Sequence, residues 1–135
     1  MSHLIVALAM IAAQPDDAID CNNAMNQQDM NFCAEQEFER ADAELNALWR
    51  RVIAEERAND AEYNREYVAT GAPPVNAEQA LREAQRAWIA FRDAQCTYEG
   101  YENFGGSLQP LTEATCRTRM TRERIAQLQP APNEP

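Results

Sequence analysis

Residues 81–96 read LREAQRAWIAFRDAQC, and this stretch decides the fold. At 100° per residue it forms a helix with one apolar stripe that polar side chains interrupt. The apolar members are Leu81, Ala84, Trp88 and Phe91, widened by Ile89 and Cys96, and the polar members are Gln85, Arg92 and Gln95. Because a buried guanidinium or amide without partners is costly, other elements must supply those partners. We therefore expect this helix to lie in the middle of a bundle, wrapped on more than one side.

A longer amphipathic helix precedes this stretch. Asn26 suits an N-cap, with Asp29 three residues on, and apolar residues then recur at spacings of four and three. They are Met30, Ala34, Phe38, Ala41, Leu45, Leu48 and Val52. The pattern weakens at residues 58–60, and Tyr63 and Tyr67 can continue the helix to about residue 70. Gly71 and two prolines end it, and Asn76 is expected to cap the central helix, which runs to about Tyr98.

A third helix is predicted from Thr112 until Pro130 stops it. Its apolar face carries Ala114, Thr121, Ile125 and Leu128. No strand pattern competes with these helices, and short connections favour antiparallel neighbours. We expect an all-α fold, a small bundle of three main antiparallel helices, over residues 14–128. Residues 129–135, rich in proline and polar residues, are expected to be a disordered tail.

The first 13 residues have the pattern of a signal peptide. An uninterrupted apolar run from Leu4 to Ala13 is too short to span a bilayer but suits the core of a secretory leader, and Ala13 suits cleavage. The alternative is a buried N-terminal helix. We expect export to the periplasm or the exterior. The residues before Cys21 do not resemble a lipid-attachment box, so no membrane anchor is expected.

Four cysteines, Cys21, Cys33, Cys96 and Cys116, fit export because an even number in a small exported domain predicts disulfides. Local pairing, Cys21–Cys33 and Cys96–Cys116, suits a segment folding back onto the first helix and an antiparallel pair of later helices. The alternative pairs Cys33 with Cys96 and Cys21 with Cys116. A zinc site is disfavoured, since no Cys-x2-Cys pair occurs and His3 is the only histidine. No metal or other cofactor is predicted.

The charge is concentrated in the first half of the chain. Residues 14–62 carry 13 acids and 4 arginines, a balance of −9, whereas residues 63–135 carry 9 acids and 8 arginines, a balance of −1. Such a surface repels phosphate, so nucleic acid is not an expected partner, and a basic protein is. Four glutamates on the first long helix are the candidate steering charges: Glu35, Glu37, Glu39 and Glu44.

Residues 99–110 form a loop rich in glycine and aromatic residues, and this loop is the candidate binding site. It is either a connection bordered by a disulfide or a rigid binding loop. In the second reading it presents Tyr101, Asn103, Phe104, Gly105, Gly106 and Ser107. The aromatic side chains of the loop are not expected to extend freely into water.

Catalytic constellations are weak in this sequence. Paired carboxylates such as Glu35 and Glu39 lie on a helix face predicted to be solvated, and the lack of histidine after His3 excludes a Ser-His or Cys-His dyad. An enzyme is therefore not expected. Asp42 and Arg92 lie in core-facing sectors and are expected to form a structural ion pair between helices, and Arg124 is expected in a similar role. A direct ligand contact is the alternative.

Taken in order, these residues resemble the family of small envelope domains named after the N-terminal domain of the lysozyme inhibitor LprI. The matching pieces are Cys21 to Cys33 with Met30-Asn31 between, Ala41-Asp42, Leu45-Asn46, Leu81, residues 84–96, Gly105-Gly106-Ser107, Cys116, Thr121, Arg124 and Leu128. The resemblance covers about residues 21–128. It implies an exported helical domain that binds and inhibits lysozyme.

Two functions follow from these expectations. The first is inhibition of lysozyme, in which the acidic segment attracts a basic target and the 99–110 loop enters its cleft. The second is a structural or adaptor module of the cell envelope with no lysozyme target.

Overall fold

The computed structural model describes residues 19–129, and this part of the chain is all-α, as predicted. The three main helices are α1 (Gln27–Tyr67), α2 (Ala77–Gly100) and α3 (Gln109–Leu128). Short 3-10 turns at Val68–Thr70 and Tyr101–Asn103 follow the first two. The predicted leader, residues 1–13, and the tail beyond residue 129 lie outside the described residues.

Helices that follow each other in sequence are antiparallel, so α1 and α3 run in the same direction. These two form the most extensive helix pair, and α2 packs against both. Leu45 and Leu48 of α1 meet Ile125 of α3 in one buried cluster. Cys96 and Cys116 form a second buried cluster with Met120. Trp88 of α2 touches both clusters and links them.

The expected inward stripe of α2 is only partly correct. Phe91 is 58% exposed and Ile89 40% exposed, and Ala84 also faces solvent. Gln85, Arg92 and Cys96 of the expected stripe are buried, together with Gly100. The helix therefore lies at the side of the α1–α3 pair and is not wrapped on several sides. Its polar residues face inward because the neighbouring helices satisfy them.

Arg92 joins all three helices through hydrogen bonds. Its side chain is 8% exposed, and its Nη1 donates to Asp42 Oδ1 of α1 at 3.0 Å and to Thr121 Oγ1 of α3 at 3.2 Å. Its Nε donates to Asp93 Oδ1 at 3.0 Å. The guanidinium fork can reach several acceptors at once, which a lysine ammonium cannot do with the same planar geometry.

Aromatic rings contact the same guanidinium. The Cζ atom of Arg92 lies 5.1 Å from the centroid of the Phe38 ring and 5.2 Å from that of the Trp88 ring. Each cation–π contact of this kind contributes about 0.5–2 kcal/mol, depending on desolvation. Arg92 is thus held by one ring from α1 and one from α2.

Arg124 has a different set of partners from the expected ion pair. Its Nε donates to the Gln85 side-chain oxygen at 2.9 Å, and its Nη1 donates to Gln127. Within residues 19–129 no carboxylate lies within 4.0 Å of its guanidinium. Partial burial lowers the pKa of Arg124 from its ordinary value. The residue joins α3 to the buried amide of α2 by a hydrogen bond between a charged and a neutral group.

The first helix continues through residues 58–60, where its apolar pattern weakens. Polar side chains of α1 in this region form hydrogen bonds with the backbone at the start of α2. Asp60 accepts hydrogen bonds from the backbone N–H groups of Ala77 and Glu78 at 3.1 and 2.8 Å. Asn64 both donates to and accepts from the backbone of Val75. The expected cap, Asn76, makes no capping hydrogen bond with its side chain. A carboxylate from α1 therefore takes the place of a local cap.

The third helix begins at Gln109, three residues before the predicted Thr112. Pro110 occupies its first turn, where a missing N–H costs nothing. The Thr112 hydroxyl donates to the backbone oxygen of Leu108 inside the helix. At the end of α2, a Cβ on Gly100 would lie 2.5 Å from Glu113 Cγ, so glycine permits the close approach of the two helices here.

Both disulfides of the local pairing are present. Cys21 is bonded to Cys33, 12 residues on, and Cys96 to Cys116, 20 residues on. The alternative pairing is excluded. Loops of this size contribute about 3 kcal/mol each on the chain-entropy estimate.

We predict that Arg92→Ala lowers the free energy of unfolding by about 3 kcal/mol, because it removes a buried side chain together with its hydrogen bonds to the buried Thr121 hydroxyl and to the partly exposed Asp42. With an m-value of about 2 kcal/mol/M, the urea midpoint falls by about 1.5 M. The urea midpoint of Arg92→Lys should lie between those of the wild type and of Arg92→Ala, since lysine keeps the charge but not the planar fork. The exposed Arg50→Ala is the control. Equal midpoints for Arg92→Ala and Arg50→Ala would contradict this role.

Glu78 should make the α1–α2 junction sensitive to acid. Its pKa is lowered from the ordinary 4.5, first by the hydrogen bond from Arg57 and then by that from Arg82. Because the unfolded chain takes up the proton at a higher pH, this contribution is complete above pH 4.5 and disappears as the pH falls through the folded pKa. Glu78→Gln should therefore destabilise the protein at pH 7, and progressively less as the pH is lowered below 4.5. Urea midpoints of the variant and the wild type over a pH series measure the difference, and a difference that does not change with pH would contradict the prediction.

Candidate functional site

The loop between α2 and α3 is fixed in place by hydrogen bonds at several points. Asn103 Nδ2 donates to Thr112 Oγ1 at 3.0 Å, and the Gly105 N–H donates to the Gln109 side-chain oxygen at 3.0 Å. Gly105 has φ of +75°, a conformation that glycine adopts without steric cost. The loop is therefore a defined structure stabilised by the first turns of α3.

The first long helix holds the same loop from the other side. Asn31 Nδ2 of α1 donates to the backbone oxygen of Ser107 at 2.9 Å. The Cys21–Cys33 disulfide fixes the segment before α1 two residues further along the helix. The loop and the beginning of α1 thus form one end of the bundle, which we call the loop end.

Two aromatic side chains project from the loop end into solvent. Tyr101 is 58% exposed and Phe104 72% exposed. Their rings stack on each other, with centroids 5.2 Å apart and planes inclined by 10°. These side chains were not expected to extend freely into water. Both are exposed, and only their stacking on each other shields part of each ring. A stacked, exposed aromatic pair on a fixed backbone is typical of a contact surface for another protein.

A groove of about 550 Å³ runs beside this aromatic pair. Its walls come from α1, the loop and α3, and both acidic and basic side chains line it. The lining residues are Asn31, Glu35, Gly105, Gly106, Gln109, Pro110, Glu113 and Arg117. Glu35 pairs with Arg117 across the groove, with Nη2 and Oε2 3.1 Å apart. Glu113 accepts a hydrogen bond from Gln109 at 3.0 Å.

The four candidate steering glutamates do not share one face of α1. Glu35 lies at the groove, contrary to the predicted solvated face, and Glu37 forms ion pairs with Arg40 and with Arg122 of α3. Glu39 and Glu44 are exposed. Two of the four carboxylates are therefore already paired to arginines of α3, and two face solvent without such a partner among the described residues.

Sequence reasoning missed three residues of the groove. Gln109, Glu113 and Arg117 follow each other at intervals of four along α3 and so lie on one face of it. That spacing could have indicated one polar face of α3. It could not have indicated a groove, because the groove also needs Glu35 of α1, the partner of Arg117, which lies 82 residues away in the sequence. The Asp42–Arg92 pair, in contrast, lies in the core and contributes nothing to the groove.

Two further features bear on the kind of site. Among residues 19–129, no group of three or more histidine, cysteine, aspartate or glutamate side chains is arranged to hold a metal ion. Over the same residues, none of the helices combines the length and the apolar character needed to cross a membrane.

Comparison with known proteins identifies the family. Residues 20–128 match the family described as "Lysozyme inhibitor LprI". A protein of Rhizobium meliloti (strain 1021), described as uncharacterized, is 42% identical over 128 residues, which cover 95% of this chain and 88% of that protein. No solved structure shows significant similarity. The family match spans most of the chain, including all four cysteines and the loop end. The chain belongs to the LprI lysozyme inhibitor family.

Proposed function

We propose that this protein is an exported binding domain that inhibits lysozyme, and that it does so with its loop end. The family supplies the target class, because it is an inhibitor family. The two disulfides agree with an oxidising compartment such as the periplasm or the exterior. The observation that carries the proposed mode is the exposed, stacked pair of Tyr101 and Phe104 on a fixed loop.

A fixed loop favours binding because little conformational entropy remains to be lost. Both sides of the loop are tied to helices, at Asn31 and at Thr112. Ordering a mobile side chain at an interface costs about 0.5–1.5 kcal/mol, and the stacking of Phe104 on Tyr101 reduces that cost before contact. The pair can therefore enter a cleft as one rigid unit.

The groove offers the polar part of the same contact. The carboxylates of Glu35 and Glu113 line it and can accept hydrogen bonds from arginine or lysine side chains of a basic partner. Aromatic residues at the centre and charge-assisted hydrogen bonds beside them form a common arrangement of protein interfaces. This arrangement suits a basic lysozyme better than a neutral or acidic protein.

Long-range attraction would bring such a partner to this end of the molecule. The balance of −9 over residues 14–62 places most of the net charge of −10 on the half of the chain that contains the start of α1. Attraction of this kind raises the association rate and weakens as salt is added. The charge thus acts before contact, and the aromatic pair acts after it.

A turbidity assay of cell-wall lysis tests the function directly. The purified protein, titrated against a basic lysozyme at low salt, is expected to slow lysis in a saturable manner. Absence of both inhibition and a detectable complex with lysozyme would exclude the proposal and favour the adaptor role in the envelope.

We predict that Glu39→Gln/Glu44→Gln lowers the association rate with lysozyme by about 2–5-fold at about 0.1 M salt and flattens its salt dependence. Both residues are exposed, so folding should not change. The matched control is Glu62→Gln/Glu66→Gln, which alters net charge equally but about 30 Å further along α1. That distance is several Debye lengths. Stopped-flow association measures the rates, and equal slowing by both pairs would contradict local steering.

We predict that Phe104→Ala raises the dissociation rate of the lysozyme complex by about 10–30-fold, the effect of losing a central aromatic anchor. Phe104 is 72% exposed, so the stability of the free protein should be unchanged. Tyr67→Ala is the matched control, because Tyr67 is also exposed and contacts the Tyr63 ring, in a tilted arrangement, at the far end of α1. Surface plasmon resonance separates the rates. An unaltered dissociation rate for Phe104→Ala would remove the loop from the interface.

A further inference from the structure

The outward face of α2 carries an apolar residue at every position of a repeat with alternating spacings of three and four. The positions are Ala77, Ala80, Ala84, Ala87, Phe91, Ala94, Tyr98 and, just after the helix, Tyr101. Every one of these residues is exposed. Phe91 is 58% and Tyr98 71% exposed, values that are unusual for aromatic residues in the middle of a helix. The face turned away from the bundle is thus apolar along its whole length.

Alternating spacings of three and four mark a seam that packs against another helix. The repeat averages about 3.5 residues per turn and therefore keeps the apolar residues on one narrow stripe, as in coiled coils. Within residues 19–129 no element covers this stripe. Ala90 and Thr97 border the stripe on one side, in the same row as the exposed Glu83. This pattern fits a second helix packed against α2.

The order of small and large residues indicates which helix. If a second copy of α2 is laid antiparallel, with the twofold axis level with residue 89, each bulky residue meets an alanine. Phe91 of one copy faces Ala87 of the other, and Tyr98 faces Ala80. Tyr101 then faces Ala77, and Ala94 faces Ala84. Three of these four pairs set a large residue against alanine, and only the pair of Ala84 and Ala94 sets alanine against alanine, which gives nearly even packing.

A parallel arrangement lacks this complementarity. In a parallel pair each residue meets itself, so Phe91 would face Phe91 while the layers of Ala84 and Ala87 would leave gaps. A twofold antiparallel pair is also an isologous interface, the commonest form of self-association. The sequence of α2 is therefore complementary to itself in one direction only.

The charge distribution permits two copies to meet at this face. Between Ala77 and Gly100 there are four acids and three arginines, whereas residues 14–62 carry a balance of −9. The α2 face is thus far less repulsive than the α1 side.

We propose that the outward face of α2 is a self-association surface through which two copies form an antiparallel, twofold-symmetric dimer. The contact is a single helix pair, so the area buried is small and the dimer is a reversible, concentration-dependent one. The proposal does not depend on lysozyme binding.

Sedimentation equilibrium of the purified protein over a concentration series tests the association. We expect a monomer–dimer equilibrium whose dissociation constant rises at least about tenfold in Phe91→Ala, the effect of losing a central aromatic contact. Ala47→Glu, on the exposed face of α1, is the control and should leave the equilibrium unchanged. A protein that stays monomeric up to about 1 mM would overturn the proposal.

Two double variants test the direction of the pair. In the antiparallel register residue 84 faces residue 94 of the other copy, so Ala84→Glu/Ala94→Lys should keep the dimer and Ala84→Glu/Ala94→Glu should abolish it. In a parallel pair both variants place like charges opposite each other, and both would dissociate. Circular dichroism checks that the helices are intact. Equal behaviour of the two variants would overturn the antiparallel register. None of these substitutions touches the 101–107 loop, and sedimentation is measured without lysozyme, so a failure of the dimer and a failure of lysozyme inhibition are distinguishable. Tyr101 belongs to both proposed surfaces, so a dimer covers part of the surface proposed for lysozyme.

Discussion

The burial of Arg92 is the constraint on which the rest of the bundle depends. A guanidinium that is 8% exposed must have its donors satisfied and its faces covered, and each requirement recruits a different helix. Asp42 and Phe38 come from α1, Thr121 from α3, and Trp88 from α2 itself. The aliphatic cluster of Leu45, Leu48 and Ile125 supplies the apolar burial but does not fix how α2 is rotated. Arg92 fixes that rotation, since only one orientation brings it to its partners.

This constraint explains why part of the fold followed from the sequence and part did not. The inward faces of α1 and α3 are aliphatic, so their periodicity predicted them correctly. In α2 the expected stripe mixed apolar and polar residues. Gln85 and Arg92 are buried as expected, whereas Phe91 and Ala84 are exposed. Hydrophobic periodicity fails where a helix uses a polar network for its internal face and keeps apolar residues for its external one. The start of α2 was predicted at the correct residue, but its capping hydrogen bonds come from Asp60 of another helix and not from Asn76.

The candidate site, like the fold, could be predicted from the sequence only in part. The glycines and aromatics of the loop were visible in the sequence, and so was the excess of acid in the first half of the chain. The groove was not, because it depends on Glu35 and Arg117 meeting across two helices. Family membership suggests a lysozyme-type target, and the loop end carries a stacked aromatic pair beside a groove lined by Glu35, Glu113 and Arg117. The pairing of Glu37 with Arg122 shows that part of the negative charge serves the fold and is not free for a partner.

Both disulfides lie towards the loop end, and this has a consequence for how the molecule opens. At the opposite end, hydrogen bonds and ion pairs, such as those of Asp60 and Arg57, hold residues 55–80 without a disulfide. Partial unfolding therefore begins there, where the 68–76 connection joins α1 to α2 but no disulfide cross-links the helices, and proceeds towards the cross-linked end. The surface proposed to bind lysozyme is then the last part to lose its shape. A domain with this gradient keeps the proposed binding end intact while the far end fluctuates.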